Sequence, residues 1–122
     1  MRPLRTVRAG AESATTMGTL FYGGDRTPIR IDDRILAHLR VVVTAKMRRG
    51  EGFLLSWTDS VTIGDGRSSV WLNARTDLHY KFDGVKEVKL DPALLEQLNV
   101  ESIQARGIEI SDASLAHRPD GG

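Results

Sequence analysis

One tetrapeptide in the chain has residue types that could make and break a bond: Lys81, Phe82, Asp83 and Gly84 read Lys-x-Asp-Gly. A lysine amine can attack the α-phosphorus of ATP and carry AMP as a phosphoramidate, with Mg²⁺ on the phosphates. The amine must first lose its proton, which takes a desolvated or cationic pocket. It also needs a carboxylate for the ribose, an aromatic for the adenine and further lysines for the phosphates. Lys86 and Lys89 follow closely, but the short remainder of the chain offers no acidic-glycine element and no lysine pair. A β-hairpin explains the same letters more simply. Asp-Gly between "LHYKF" and "VKEVKL" suits a two-residue turn whose central positions take positive φ. On this reading Lys81 is a solvated cross-strand partner, of Glu87 for example, and Gly84 carries the turn.

The second available chemistry is phosphate binding. "KMRRGE" gathers Lys46, Arg48 and Arg49, with Arg40 one face away and Arg67 and Arg75 able to extend the patch across strands. Guanidinium forks suit phosphate oxygens. The plainer alternative is that cations at a helix C-terminus complement its dipole, worth roughly 0.3 to 1 kcal/mol each. Trp57 and Trp71 would stack on bases if both faced solvent beside the patch; otherwise they belong to the core or to a subunit contact. His38 borders the apolar face of a helix and reads as structural. His79 has no activating serine or acid within reach of the pattern. "GDGRSS" reads as a turn, because no helix follows it as phosphate loops require. The histidines lack helical pairing and there is no cysteine, so no metal ligand set, disulfide or thiolate is expected.

The elements that must position these residues follow from periodicity. Residues 1–16 have no pattern and are expected to be a disordered leader or a mis-assigned start, 17–111 a single α+β domain, and 112–122 a disordered tail. "TLFYGGDRTPIRID" reads as two strands around Gly-Gly-Asp, with Pro28 pushing the second to an edge or to its strand's first residue. "DDRILAHLRVVVTAKMRRG" reads as a helix capped by Asp32, with Asp33 in its first turn and Gly50 closing it in the left-handed conformation. Ile35, Leu36, Leu39, Val42, Val43 and Met47 share its apolar face. Residues 52–57, 67–73 and 77–82 read as antiparallel strands, the last alternating Leu78, Tyr80 and Phe82 inward with His79 and Lys81 outward. A second helix starts at Pro92 under an Asp91 cap and buries Leu94, Leu95 and Leu98. The stretch 99–106 fits helix or strand, and "GIEIS" a closing strand. The expected fold is α+β: a mostly antiparallel sheet of five or six strands with one or two helices packed on it.

"MGTLFYGG", "DDRILAHLRVVVTAKMRRGEGFLLSW" and "GDGRSSVWLNARTDLHYKFDG" resemble a family of small actinobacterial proteins of unknown function, whose members often carry the label ATP-dependent DNA ligase. The resemblance is close over Met17 to Gly84 and looser beyond. It implies a fold and a family start near Met17, and it assigns no site residue.

Charge and hydropathy bound the function. The net charge is +1, and Arg2, Arg5 and Arg8 leave with the first 16 residues against Glu12 alone, so any basic surface must be local. The longest apolar runs, such as "VVV" at 41–43, are far short of the roughly 18 residues that cross a bilayer, and the N-terminus lacks the apolar segment of a signal peptide. The expected location is cytoplasmic. The leading expectation is a small non-enzymatic binding module whose partner is nucleic acid, held by Arg40, Lys46, Arg48, Arg49 and Arg67, with no metal or cofactor. The alternatives are a homo-oligomer joined by a sheet edge and the tryptophans, and a nucleotidyltransferase in which Lys81 and Asp83 work with ATP and Mg²⁺.

Overall fold

The computed structural model describes residues 16–58, 66–110 and the strand at 114–115. Residues 1–15, residues 59–65, which include the first two of "GDGRSS", and most of the C-terminal tail lie outside the described residues. β1 (Met17–Tyr22) and β2 (Thr27–Asp32) pair antiparallel around the Gly-Gly-Asp turn. Gly23 (φ 77°) and Arg26 (φ 55°) both take left-handed backbone there. β7 (Ser114–Leu115), in the stretch read as a tail, pairs only with Ile29 and Arg30 of β2. Pro28, which has no N–H to give, therefore lies beyond the reach of that pairing.

α1 (Asp33–Arg48) begins where the Asp32 carboxylate accepts from the Arg34 N–H at 2.6 Å and ends at Gly50, whose φ is 71°. Leu36, Leu39, Val42 and Val43 are buried as the 3.6-residue period requires, and Ile35 and Met47 pack beside them. β3 (Phe53–Thr58) pairs antiparallel with β4 (Arg67–Leu72), and β5 (Leu78–Lys81) leaves that pair to lie against β1. α2 (Pro92–Ser102) starts under the Asp91 cap and takes up the first half of the ambiguous 99–106 stretch, the rest being turns and a bend. β6 (Ile108–Ile110) pairs parallel with β3.

The result is the expected α+β architecture, with its strands divided between two sheets, ordered β5-β1-β2-β7 and β4-β3-β6. α1 joins them: one core contains Leu20, Ile29 and Ile31 of the first sheet, Phe53, Leu55, Trp57 and Leu72 of the second, and Leu98 of α2. The Tyr22 hydroxyl, at the end of β1, ties the two sheets by donating to the Trp71 carbonyl of β4 at 2.7 Å.

The hairpin expected at Asp83–Gly84 does not form. No strand lies between residue 82 and α2; 83–86 bend and 87–91 have no regular structure. Gly84 is not among the positive-φ glycines, which are Gly23, Gly50 and Gly107 among the described residues. A buried carboxylate outcompetes the turn. Asp33, 5% exposed, accepts from the Gly84 N–H at 2.8 Å, from the Asp83 N–H at 3.2 Å and from the Thr16 hydroxyl at 2.6 Å. The segment that was to reverse direction is spent satisfying an acid at the start of α1. Gly18 makes room for it: a Cβ there would lie 2.5 Å from Asp33 Oδ1 and 2.6 Å from the Lys81 carbonyl oxygen.

Candidate functional site

The basic residues expected to act together are dispersed. Lys46 is 6% exposed, and its ammonium lies 3.4 Å from Glu51, which also holds Arg49 at 3.3 Å. What desolvation Glu51 suffers raises its pKa, but the neighbouring Arg49 and Lys46 charges win and hold it below the ordinary glutamate range. Arg48 is exposed at the helix end, Arg67 lies on the outer face of β4, and Arg40 stands 5.1 Å over the Phe82 ring on another side of α1. Trp57 is in the core and Trp71 is half exposed, so the tryptophans do not form one stacking surface.

The histidines differ in kind. His38 is fully buried and satisfied at both nitrogens, Nδ1 donating to the Arg34 carbonyl at 2.6 Å and Nε2 accepting from the Asp91 N–H at 2.7 Å. It fastens the start of α2 to α1. Asp91 adds a second link through a 2.9 Å contact with Arg34 while its other oxygen caps Ala93.

Lys81 and Asp83 are exposed, and the amides around them are committed to Asp33. Lys81 faces Thr19 of β1 instead of a strand carrying Glu87. Its alternation holds: Leu78, Tyr80 and Phe82 turn inward while His79 and Lys81 turn out. Burial pushes the inward Tyr80 hydroxyl up to about 12, against the opposing pull of Arg40.

That outward turn assembles a cluster which the sequence patterns did not single out. Directly paired residues of adjacent strands share a face, so the outer surface of the four-stranded sheet carries two rows. Lys81, Thr19 and Arg30 form one; His79, Phe21 and Pro28 form the other. Above Phe21 lies the Arg26 guanidinium, 4.5 Å from the ring centroid, with its Nη2 3.4 Å from His79 Nδ1. The Phe21 and His79 rings are tilted at 55° with centroids 5.4 Å apart. A cleft of about 320 Å³ opens beside this stack, lined by Phe21, Gly23, Gly24, Arg26, Asp77 and His79.

Arg26 reaches its place through a left-handed backbone that non-glycine residues rarely adopt. Such strain persists where surrounding structure enforces it, and it gathers at working surfaces. Lys81 and Arg30 bring positive charge to the rows and Arg26 adds to it above Phe21; the Met17–Asp32 pair continues the same face and brings the carboxylate that caps α1, and Asp77 borders the cleft. The signal was present as alternation, since Phe21 and Arg30 occupy the outward positions beside Leu20, Ile29 and Ile31.

A family model described as a domain of unknown function (DUF7882) matches residues 17–117. The chain belongs to this family. No curated protein and no solved structure matches the chain. Every residue of the Phe21 cluster lies within the DUF7882 match, as does Asp33; Thr16, which donates to it, stands one residue before. Among the described residues no group of three or more His, Asp or Glu side chains could hold a metal ion, and no helix is long and apolar enough to cross a membrane.

Proposed function

We propose that the protein is a binding module for single-stranded nucleic acid and that the outer face of the β5-β1-β2 sheet is its contact surface. The observation that carries this reading is the Phe21–Arg26–His79 stack flanked by Lys81 and Arg30, cations around one aromatic on an open sheet. Bases splayed from a single strand stack on aromatic rings and on guanidinium planes, while cations beside them neutralise phosphates. Lys81 then serves as a charged phosphate contact. Binding of this kind requires no metal or cofactor, and we place the protein in the cytoplasm, whose reducing conditions suit a cysteine-free chain.

The test is fluorescence anisotropy with a labelled single-stranded oligonucleotide across a salt series. With three phosphates neutralised, the logarithm of affinity falls with the logarithm of salt at a slope of about −2. Phe21→Ala weakens binding by about 1 to 3 kcal/mol, a stacking contribution, and Arg30→Ala lowers the magnitude of the slope by just under about 1. Absence of binding at low salt refutes the proposal. Sensitivity to Arg48→Ala and Arg49→Ala, with indifference to Arg30→Ala, would move the contact to the end of α1.

A further inference from the structure

On a different side of the molecule, α1 and the irregular segment after Phe82 enclose a cleft of about 420 Å³. Three large apolar side chains line it while exposed: Val41 at 37%, Leu90 at 46% and Val85 at 101%. Arg40, held over Phe82, and Lys86 supply positive charge to its wall against Glu87. A second exposed apolar feature lies on α2. Its inner face buries Leu98 and Ser102, with Leu94 and Leu95 packed alongside. The opposite face carries Ala93, Glu96 and Val100 and, at the C-cap, Ile103, all exposed and spaced by three, four and three residues. That is the spacing with which a helix lays anchors into a groove. α2 contains Glu96 and Glu101 and no lysine or arginine, so its charge is opposite to the excess in the cleft.

We infer that the outer face of α2 docks into the Val41–Val85–Leu90 cleft of a second copy of this chain, Val100 and Ile103 entering the apolar floor and Glu96 meeting Arg40 and Lys86. The two surfaces are different patches of one molecule, so the contact is heterologous and propagates head to tail into a ring or a filament. It leaves the outer face of the four-stranded sheet uncovered and does not depend on nucleic-acid binding.

The experiment is sedimentation velocity over a concentration series with wild type, Val85→Asp and Ile103→Asp. Both substituted positions are largely exposed, so thermal melts of the variants should match wild type. Wild type associates with increasing concentration; each variant alone stays monomeric; an equimolar mixture forms a 1:1 heterodimer, because each variant keeps the surface that the other has lost. A wild type that remains monomeric up to about 1 mM, the weak end of ordinary affinities, overturns the inference. So does association of Ile103→Asp alone, which would mean the cleft pairs with itself, or a mixture that stays monomeric.

Discussion

Replacing Asp33 by Asn isolates the charge that organises the Lys-x-Asp-Gly segment while keeping shape and volume. The carboxylate receives three donors: two backbone N–H groups and the Thr16 hydroxyl. An asparagine can put its neutral carbonyl oxygen where Oδ2 accepts from Thr16 and Gly84, which weakens both bonds, and its amide nitrogen then faces the Asp83 N–H at the Oδ1 position. Hydrogen bonds to a charged group contribute about 1.5 to 3 kcal/mol each, and a buried donor left without a partner costs about 1 to 3 kcal/mol. Two weakened contacts give an expected loss of about 3 kcal/mol for Asp33→Asn, a Tm lower by about 10 to 20 °C for a domain of this size. Urea denaturation measures the free energy, and amide exchange locates it: the Asp83 and Gly84 N–H groups should lose protection before the core strands do. A cost below about 0.5 kcal/mol, or unchanged protection at those two amides, would show that the carboxylate does not hold this segment.

Gly18→Ala should cost at least about 2 kcal/mol, since its Cβ meets backbone and the Asp33 oxygen together, and Gly84→Ala less than about 1 kcal/mol, since its nearest neighbour would lie 3.4 Å away; the opposite ranking in thermal melts would restore the turn at Gly84. Leu39→Ala, at a fully buried position of α1, should lose about 2 to 5 kcal/mol in chemical denaturation, and near-neutrality would mean that the helix packs by another face. The folded chain holds the Tyr80 proton to about 12 whereas an unfolded tyrosine releases it near 10. Its contribution is therefore intact below pH 10 and drains away as pH rises through that interval, by up to about 2 kcal/mol once the ring's partial exposure is discounted. Tyr80→Phe should flatten that part of the stability curve; an unaltered alkaline slope would assign the loss to other groups.

Most elements were legible because each has a local cause. Asp32 and Asp91 cap helices whose apolar spacing is unambiguous, Gly50 closes the first, and the alternation in β5 placed Lys81 in solvent. Two things were hidden because they depend on contacts across some fifty residues. Asp33 looked like a dipole-complementing acid in a first turn, and nothing local says that its partners are the amides of Asp83 and Gly84. The same distance conceals the candidate site: Phe21 meets His79 only after β5 crosses to β1, and Arg26 turns onto Phe21 only through a backbone conformation that its residue type disfavours. Conversely, "KMRRGE" looked like a phosphate grip because its letters are adjacent, yet folding buries Lys46 and neutralises it with Glu51. Proximity along the chain overstated that patch and gave no hint of the one on the sheet.

The distance between Asp33 and its donors also sets an order of events during synthesis. A nascent chain that has emerged only through β3 already contains β1, β2 and α1, but the acid at the head of α1 still lacks the amides that make its burial tolerable. Water must remain at that corner until residue 84 has cleared the ribosome. The amino-terminal half therefore ripens late, as part of the whole, and a fragment ending before Asp83 should behave as a loose intermediate in which strand pairing precedes a sealed interior.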